Sequence, residues 1–318
     1  MPTDRRSLFA AAGAAATLAA LPAGQAAAQA AAADNPSFFR FRVGGLTATV
    51  LLDGIAVRQN PGEGFVRNAD RATVEASLRA QGLPTGRITN FFCVVALETP
   101  RGIVLFDSGT GGQLAPTARG ILPAMQAAGL DPARVTTIAM THFHADHISG
   151  LTDAAGTALF PNAEVVVPEA EWAFWNDPAT ASRSAQAVQN IQRRFAAYQG
   201  RVRQVASTAE IAPGIRGVPT PGHTPGHTSF LVTDGPDSLM VLGDVTNRPE
   251  INLVNPGWHV IFDMDAALAE TSRRRIFDQI AADRIRAVGY HWPFPANGHV
   301  LRAGDGYRLV PAEWLPTA

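Results

Sequence analysis

Short runs of apolar and β-branched residues, separated by turn residues, dominate the chain after residue 38, and this period favours strands over long helices. Phe39 to Leu52 is the first such run; it ends at Asp53-Gly54, which reads as a hairpin turn into Ile55 to Arg58. The period then changes. Val74 and Leu78 stand four apart within Ala69 to Gln81, which predicts a helix closing on Gly82. Asn90 to Glu98, the turn Pro100-Arg101-Gly102 and Ile103 to Phe106 predict a strand, turn and strand. Leu114 to Ala128 reads as a helix stopped by Gly129, Val135 to Met140 and Ala163 to Val167 as buried strands, and Pro178 to Gln199 as one long polar helical stretch. Short strands are expected at Ile215 to Val218, Ser229 to Val232 and Leu239 to Leu242, and a helix at Met264 to Ala282 precedes a strand at Ala287 to Tyr290. Each half begins with strands and ends with helix and strand, so the expected α/β architecture is two sheets packed face to face with helices outside. No short repeat or Pro/Gly/Ser-rich linker divides residues 34–318, which are expected to form one domain.

The first 30 residues follow a different pattern. Arg5 and Arg6 precede an uncharged, alanine-rich run from Leu8 to Leu21, and Ala28 and Ala30 suit cleavage between small residues. This layout resembles a twin-arginine signal peptide, with a periplasmic or secreted destination. The run falls short of the roughly 20 residues that a membrane-spanning helix needs, so no stable membrane anchor is expected.

Composition then narrows the chemistry. The 26 basic and 27 acidic residues nearly cancel, leaving no positive excess for gripping nucleic acid. All the basic residues are arginine, which excludes Schiff-base, pyridoxal and P-loop lysine chemistry. The lone cysteine, Cys93, lies in the apolar run Phe91 to Leu97 and reads as a buried strand residue. A thiolate-rich metal site is therefore excluded, and any metal must be held by histidine and carboxylate.

Such residues cluster after the strand Val135 to Met140, in Thr141-His142-Phe143-His144-Ala145-Asp146-His147. Chance gives this H-x-H-x-D-H pattern in a chain of this composition about 3 times in 10,000, so it is treated as a signal. His142 and His144, two apart at a strand end, face the same side and can chelate one ion. Asp146 and His147 follow where the chain turns into a helix and can reach a second ion. Further donors follow other strands: His223 and His227 in the tight loop Pro221 to His227, Asp244 after Leu242-Gly243, and His291 after Tyr290. One ion is assigned His142, His144 and His223, and the other Asp146, His147 and His291, with Asp244 bridging them. Each ion keeps an open position, as catalytic sites do.

With these motifs in place, the sequence resembles metallo-β-lactamase-fold hydrolases, and within them the methyl parathion hydrolase group of exported organophosphate hydrolases and related lactonases. The resemblance rests on Phe38-Phe39-Arg40, Leu105 to Gly109, Thr141 to Gly150, Phe160 to Ala163, Pro221 to Thr228 and Leu242 to Asp244. The ending His291 to Val300, with Gly306-Tyr307-Arg308, is the part most specific to that group. It implies a four-layer αββα sandwich with a two-metal site at one edge. Asp107 would orient a ligand histidine. His227, beyond His223 in the same loop, reads as a hydrogen-bonding support, and His299 and His259 as supports or pocket residues. His144, where di-iron flavin-linked relatives have glutamate, argues against that branch, and the missing lysines argue against RNA-processing members.

The implied chemistry is hydrolysis of a small carboxylic ester, lactone or phosphotriester by a hydroxide held between two divalent ions, with Asp244 and Asp146 as the catalytic carboxylates. Zinc is the first expectation, and the same donors accept manganese, cobalt or iron. Two other readings stand beside it: a true β-lactamase, and a non-catalytic metal- or signal-binding protein. The resemblance leaves a homodimer open. Candidate pocket residues are Leu114, Trp175, Asn247, Trp292 and Phe294, with Trp172 and Trp258 as further aromatics. Leu114 stands where the methyl parathion hydrolase pattern has phenylalanine, and Val245 to Arg248 where it has aliphatic residues; a more polar wall there would favour esters and lactones over organophosphates.

Overall fold

Side chains along the central strands sort into two layers by alternation. In the strand Arg87–Thr99, Cys93, Val95 and Leu97 face a core shared by two sheets, while Phe92, Val94 and Ala96 face a second apolar layer on the other side. A strand buried on both faces requires cover on both faces, and the computed structural model, which describes residues 35–315, shows how that cover is arranged.

The first seven-stranded sheet runs β1 (Phe38–Val43), β2 (Leu46–Gln59), β3 (Arg87–Thr99), β4 (Gly102–Phe106), β5 (Val135–Ala139), β6 (Glu164–Pro168) and β7 (Val202–Val205), in that order. The second contains β8 (Glu210–Ala212), β9 (Ile215–Pro219), β10 (Thr228–Asp234), β11 (Asp237–Val241), β12 (Arg286–Val288), β13 (Asn297–Ala303) and β14 (Gly306–Pro311), also in sequential order. The inter-sheet core joins Phe106 of β4 to Phe230 of β10, with ring centroids 5.5 Å apart. Burying one such ring contributes about 1.5–3 kcal/mol. On the outer face of the first sheet lie α2 (Leu122–Ala127) and α6 (Ala185–Ala196), the latter through Val188, Ile191 and Phe195. On the second sheet lies α7 (Ala266–Ala282), through Ile276, Phe277 and Ile280. This is the expected αββα sandwich. No helix among the described residues is long and apolar enough to cross a membrane. The twin-arginine-like segment lies outside the described residues.

A third, smaller apolar cluster joins two distant segments. Val74 and Leu78 of the helix α1 (Arg71–Ala80) pack with Phe65, Val66, Ile251 and Val260, and Val66 forms an isolated β-bridge with Val260. Trp258 packs against this cluster. The bridge brings residues 65–67 beside 259–262, and these two segments wall the cleft described below.

Three local expectations are corrected. The chain turns at Gly44-Gly45, and Asp53-Gly54 is instead a β-bulge within the continuous strand β2. Long-range donors decide this: Asp53 accepts from Thr110 N (2.6 Å), Thr110 Oγ1 (2.5 Å) and Gly120 N (3.1 Å), which draws its carboxylate inward. Within Leu114 to Ala128 only Leu122–Ala127 is helical; Gly120 before it adopts φ +79°, incompatible with a continuous helix. The stretch Pro178 to Gln199 splits into α5 (Pro178–Arg183) and α6 at Ser184, whose φ and ψ of −137° and 43° are not helical. Cys93 is buried in the inter-sheet core, as expected, and burial pushes its thiol up so that it stays neutral.

Candidate metal centre

The site forms where strands of both sheets end at one edge of the sandwich. β4 and β5 are parallel, and β9, β11 and β12 share a direction in the other sheet because β10 pairs antiparallel with both β9 and β11 while β11 and β12 are parallel. Asp107 follows β4, the histidine motif follows β5, and His223, Asp244 and His291 follow β9, β11 and β12. Loops at the carboxyl ends of such strands face one crevice, so residues far apart in sequence converge there. His144 caps the short helix α3 (Ala145–Ile148), which places Asp146 and His147 in its single turn. Gly243, at φ +59°, allows the approach of Asp244: a Cβ there would stand 2.7 Å from His227 Nε2.

Three overlapping groups have donor atoms within 4.8 Å of one another: His142, His144 and His223; Asp146, His147 and His291; and His142, His147 and Asp244. All seven residues named from the sequence are thus brought together, in the two expected sets. Asp244 stands between them, with Oδ1 3.3 Å from His147 Nε2 and Oδ2 3.3 Å from His223 Nε2 and 3.1 Å from His291 Nε2. Asp146 Oδ2 lies 3.4 Å from His291 Nε2 and 3.6 Å from His147 Nε2.

Hydrogen bonds on the outer side of the rings decide which nitrogen faces inward. His147 Nδ1 donates to Asp107 Oδ2 (2.7 Å), His223 Nδ1 to Asp263 Oδ1 (3.0 Å) and His291 Nδ1 to the Phe91 carbonyl (2.8 Å). Thr141 Oγ1 donates to Asp107 Oδ2 (2.8 Å), so its lone pair accepts from His142 Nδ1 (3.0 Å). Each of these four rings turns its Nε2 into the site, the nitrogen a metal ion would use. His142 Nε2, His147 Nε2 and Asp244 Oδ1 are buried and have no hydrogen-bond partner. Leaving three such atoms unpaired costs roughly 1–3 kcal/mol each, and a divalent cation in their midst removes that cost. The donor set therefore fits a pair of divalent ions.

Burial, then the neighbouring histidines, holds His142 and His144 well below the ordinary imidazole range, so both are neutral. Burial also opposes charge on His147 and His291, but Asp244 and Asp146 outweigh it and raise both. Burial pushes Asp244 up, but His291 and His147 outweigh it and hold its carboxyl well below the carboxylate range. His227 is held down to about 3 by burial and His223. As a neutral ring it donates to Thr220 Oγ1 (2.8 Å) and accepts from the Asp244 amide at Nε2 (2.9 Å), which makes it the expected support and not a ligand. Asp107, at φ +64°, also accepts from Thr141 N (2.7 Å).

Above these residues opens a cleft of about 730 Å³, lined by His144, Asp146, His223, Asp244 and His291 and by the apolar Phe92, Leu114, Ile261, Phe262 and Met264, with Arg67 as its one arginine. Leu114 lies where it was expected. The other pocket candidates do not line the cleft. Trp175 is buried behind His144 and donates its indole N–H to Glu171 (2.7 Å). Trp292 is fully buried, its indole filling the space that a side chain at Gly289 would need. Phe294 packs on the inter-sheet core. Asn247 is buried because Val245 to Arg248 turn inward after Asp244, with the Asn247 amide donating to Asn252 Oδ1 (3.2 Å); the expected polar wall is absent from the cleft. His299 is no support either: it sits exposed on β13 and lines a separate surface cleft with Arg42 and Arg286. His259 pairs with Glu270 (2.9 Å).

Five contributors were missed from sequence. Asp263 orients His223 and is paired with the buried Arg273 (2.9 Å). Tyr290 stacks on His147 at 3.8 Å. Phe262 and Met264, 40% and 46% exposed, supply the apolar mouth. Glu171 is fully buried; the Glu171 to Trp175 spacing of four on one helix face was the only sequence signal for it.

Comparison with known proteins agrees with this fold. An N-acyl homoserine lactonase of Bacillus cereus is 24% identical over 264 residues, covering 76% of this chain and 95% of the lactonase. Among solved structures, AidC, a dizinc quorum-quenching lactonase in complex with a product, superposes with a TM-score of 0.82 at 24% identity over 88% of this chain and 98% of its own. The hydrolase AbOPH of the beta-lactamase superfamily gives 0.83 at 25% identity over 89% and 100%. The family model of the metallo-beta-lactamase superfamily matches residues 85–288. That match runs from just before β3 to the end of β12 and takes in every named ligand but His291, and the chain belongs to the metallo-beta-lactamase superfamily.

Proposed function

We propose that the protein is a two-metal hydrolase of lactones and carboxylic esters, with phosphotriesters as secondary substrates. The observation that carries this is the set of partnerless buried atoms, His142 Nε2, His147 Nε2 and Asp244 Oδ1, beside a largely apolar cleft that Asp244 lines. His142, His144 and His223 form one ligand set, Asp146, His147 and His291 the other, and Asp244 joins them. Two divalent ions there, zinc first and manganese, cobalt or iron by the same donors, supply Lewis acidity toward the scissile carbonyl or phosphoryl oxygen and lower the pKa of a water.

The chain's own groups do the rest. Asp107, Asp263 and the Phe91 carbonyl hold the ligand rings in their inward-facing tautomers. Asp146, 23% exposed at its side chain where Asp244 is 5% exposed, is the carboxylate that faces substrate; its Oδ1, the oxygen not turned toward His147 and His291, takes the proton that the attacking water gives up and passes it to the leaving alkoxide. Phe92, Leu114, Phe262 and Met264 exclude water and take up an apolar substrate arm. The similarity to N-acyl homoserine lactonases supports a lactone ring as the reacting group. Placement beside the methyl parathion hydrolase group, on the His291 to Val300 ending, and export by the twin-arginine-like segment belong to the same proposal.

The test compares kcat/KM on one zinc-loaded sample for an N-acyl homoserine lactone, an aryl ester, methyl paraoxon and a cephalosporin. The lactone or the ester is expected to exceed methyl paraoxon and the cephalosporin by about 100-fold or more. A cephalosporin turned over fastest would replace this reading with a β-lactamase.

A further inference from the structure

Glu171 touches no ligand atom, yet it connects the two loops that supply one ligand set. It lies on α4 (Glu169–Asn176), fully buried. Its Oε1 accepts from the amide of Phe143 (3.0 Å), the residue between His142 and His144, and from Trp175 Nε1 (2.7 Å). Its Oε2 accepts from Thr224 Oγ1 (2.7 Å) and from the amide of Gly226 (3.0 Å), both in the loop of His223. That loop packs directly on the α4 backbone: a Cβ on Gly226 would stand 2.0 Å from Glu171 N. Phe143 points into the apolar layer outside the first sheet, so fixing its amide fixes the direction in which His142 and His144 leave the chain. Burial pushes the Glu171 carboxyl up while its four neutral donors pull against that; both oxygens are committed.

We propose that Glu171 is a positioning residue that clamps the His142–His144 loop to the His223 loop and so sets the geometry of one of the two metal sites. This rests on the two-metal reading above. The carboxylate is specifically required. In glutamine one oxygen becomes an NH₂ group, and in either orientation that group meets a backbone N–H, of Phe143 or of Gly226, so one arm of the clamp must open. His147, His291 and Asp146 receive no bond from Glu171 and belong to the other site.

The experiment is zinc titration of the full-length metal-free protein against a chromophoric chelator. Wild type is expected to take up two equivalents. Glu171→Gln is expected to weaken one of them, the one that His144→Ala also weakens, by about 10-fold or more and to leave the other within about threefold. Thr224→Val removes a single donor and should weaken the same equivalent less; it carries the test if Glu171→Gln does not fold. Tyr198→Phe is the control for general loosening, since it removes fully buried hydrogen bonds to Leu151 and Phe160 away from both loops. Equal weakening of both equivalents, no weakening, or the same selective loss in Tyr198→Phe overturns the clamp. A wild-type protein that takes up no second equivalent overturns the two-metal reading and the clamp together, and is distinguishable because it shows before any variant is made.

Discussion

Replacing Asp244 with asparagine is expected to lower kcat/KM for lactone or ester hydrolysis by about 1,000-fold, a loss of about 4 kcal/mol of transition-state stabilisation. Asp244 reaches both ligand sets, with Oδ1 toward His147 and Oδ2 toward His223 and His291. An asparagine side chain has the same shape but presents an NH₂ group to one of the two sets, and a donor cannot face a cation. The negative charge goes as well, and it is the charge that offsets two ions in a site where burial would otherwise oppose them. The same change should shrink the rise in melting temperature that zinc produces in the wild type, because a ligand stabilises only in proportion to its affinity for the folded state. Activity within threefold of wild type, with both equivalents of zinc retained, would remove Asp244 from its bridging position.

Asp107→Asn is expected to weaken zinc binding by about 10- to 100-fold, although residue 107 touches no metal-facing atom. Asparagine tolerates the φ of +64° and keeps an oxygen for the Thr141 amide, so the fold is retained. The other terminal atom becomes an NH₂ group facing His147 Nδ1 and Thr141 Oγ1. To accept from it, His147 must move its proton to Nε2, the nitrogen that points into the site and has no partner there. A protonated Nε2 cannot ligate. Thr141 Oγ1 has two lone pairs and can turn to accept from that group while still accepting from His142 Nδ1, so the loss falls on His147. Asp107→Ala differs in a measurable way: it orphans the buried Thr141 amide too, and should cost about 1–3 kcal/mol of stability in the metal-free protein, which Asp107→Asn largely avoids. Unchanged zinc affinity in Asp107→Asn would show that its link to His147 is structural only.

How much of this was legible in the sequence depended on range. The histidine motif could be read because its residues are neighbours at a strand end, where period-two spacing and the following helix dictate their directions. His223, Asp244 and His291 could be read because each follows an apolar strand, and strand ends of a layered sheet meet at an edge. The bulge at Asp53-Gly54 could not: locally it is a turn sequence, and only Thr110 and Gly120, more than 50 residues on, hold its carboxylate inside the strand. The aromatic pocket failed for the same reason. Trp175 and Trp292 are apolar enough for a substrate wall, yet Glu171 and the space at Gly289 draw them into the core. The wall is built from Phe262 and Met264, carried to the cleft by the bridge between Val66 and Val260, a pairing across 194 positions that no local pattern announces.

The most direct test is to add zinc stepwise to the metal-free protein and to follow lactone or aryl-ester turnover against equivalents bound. Turnover should be absent without metal, rise to two equivalents and stay level beyond. Full turnover in the metal-free protein, or a plateau reached at one equivalent, would contradict a two-metal hydrolase built on His142, His144, His223, Asp146, His147, His291 and Asp244.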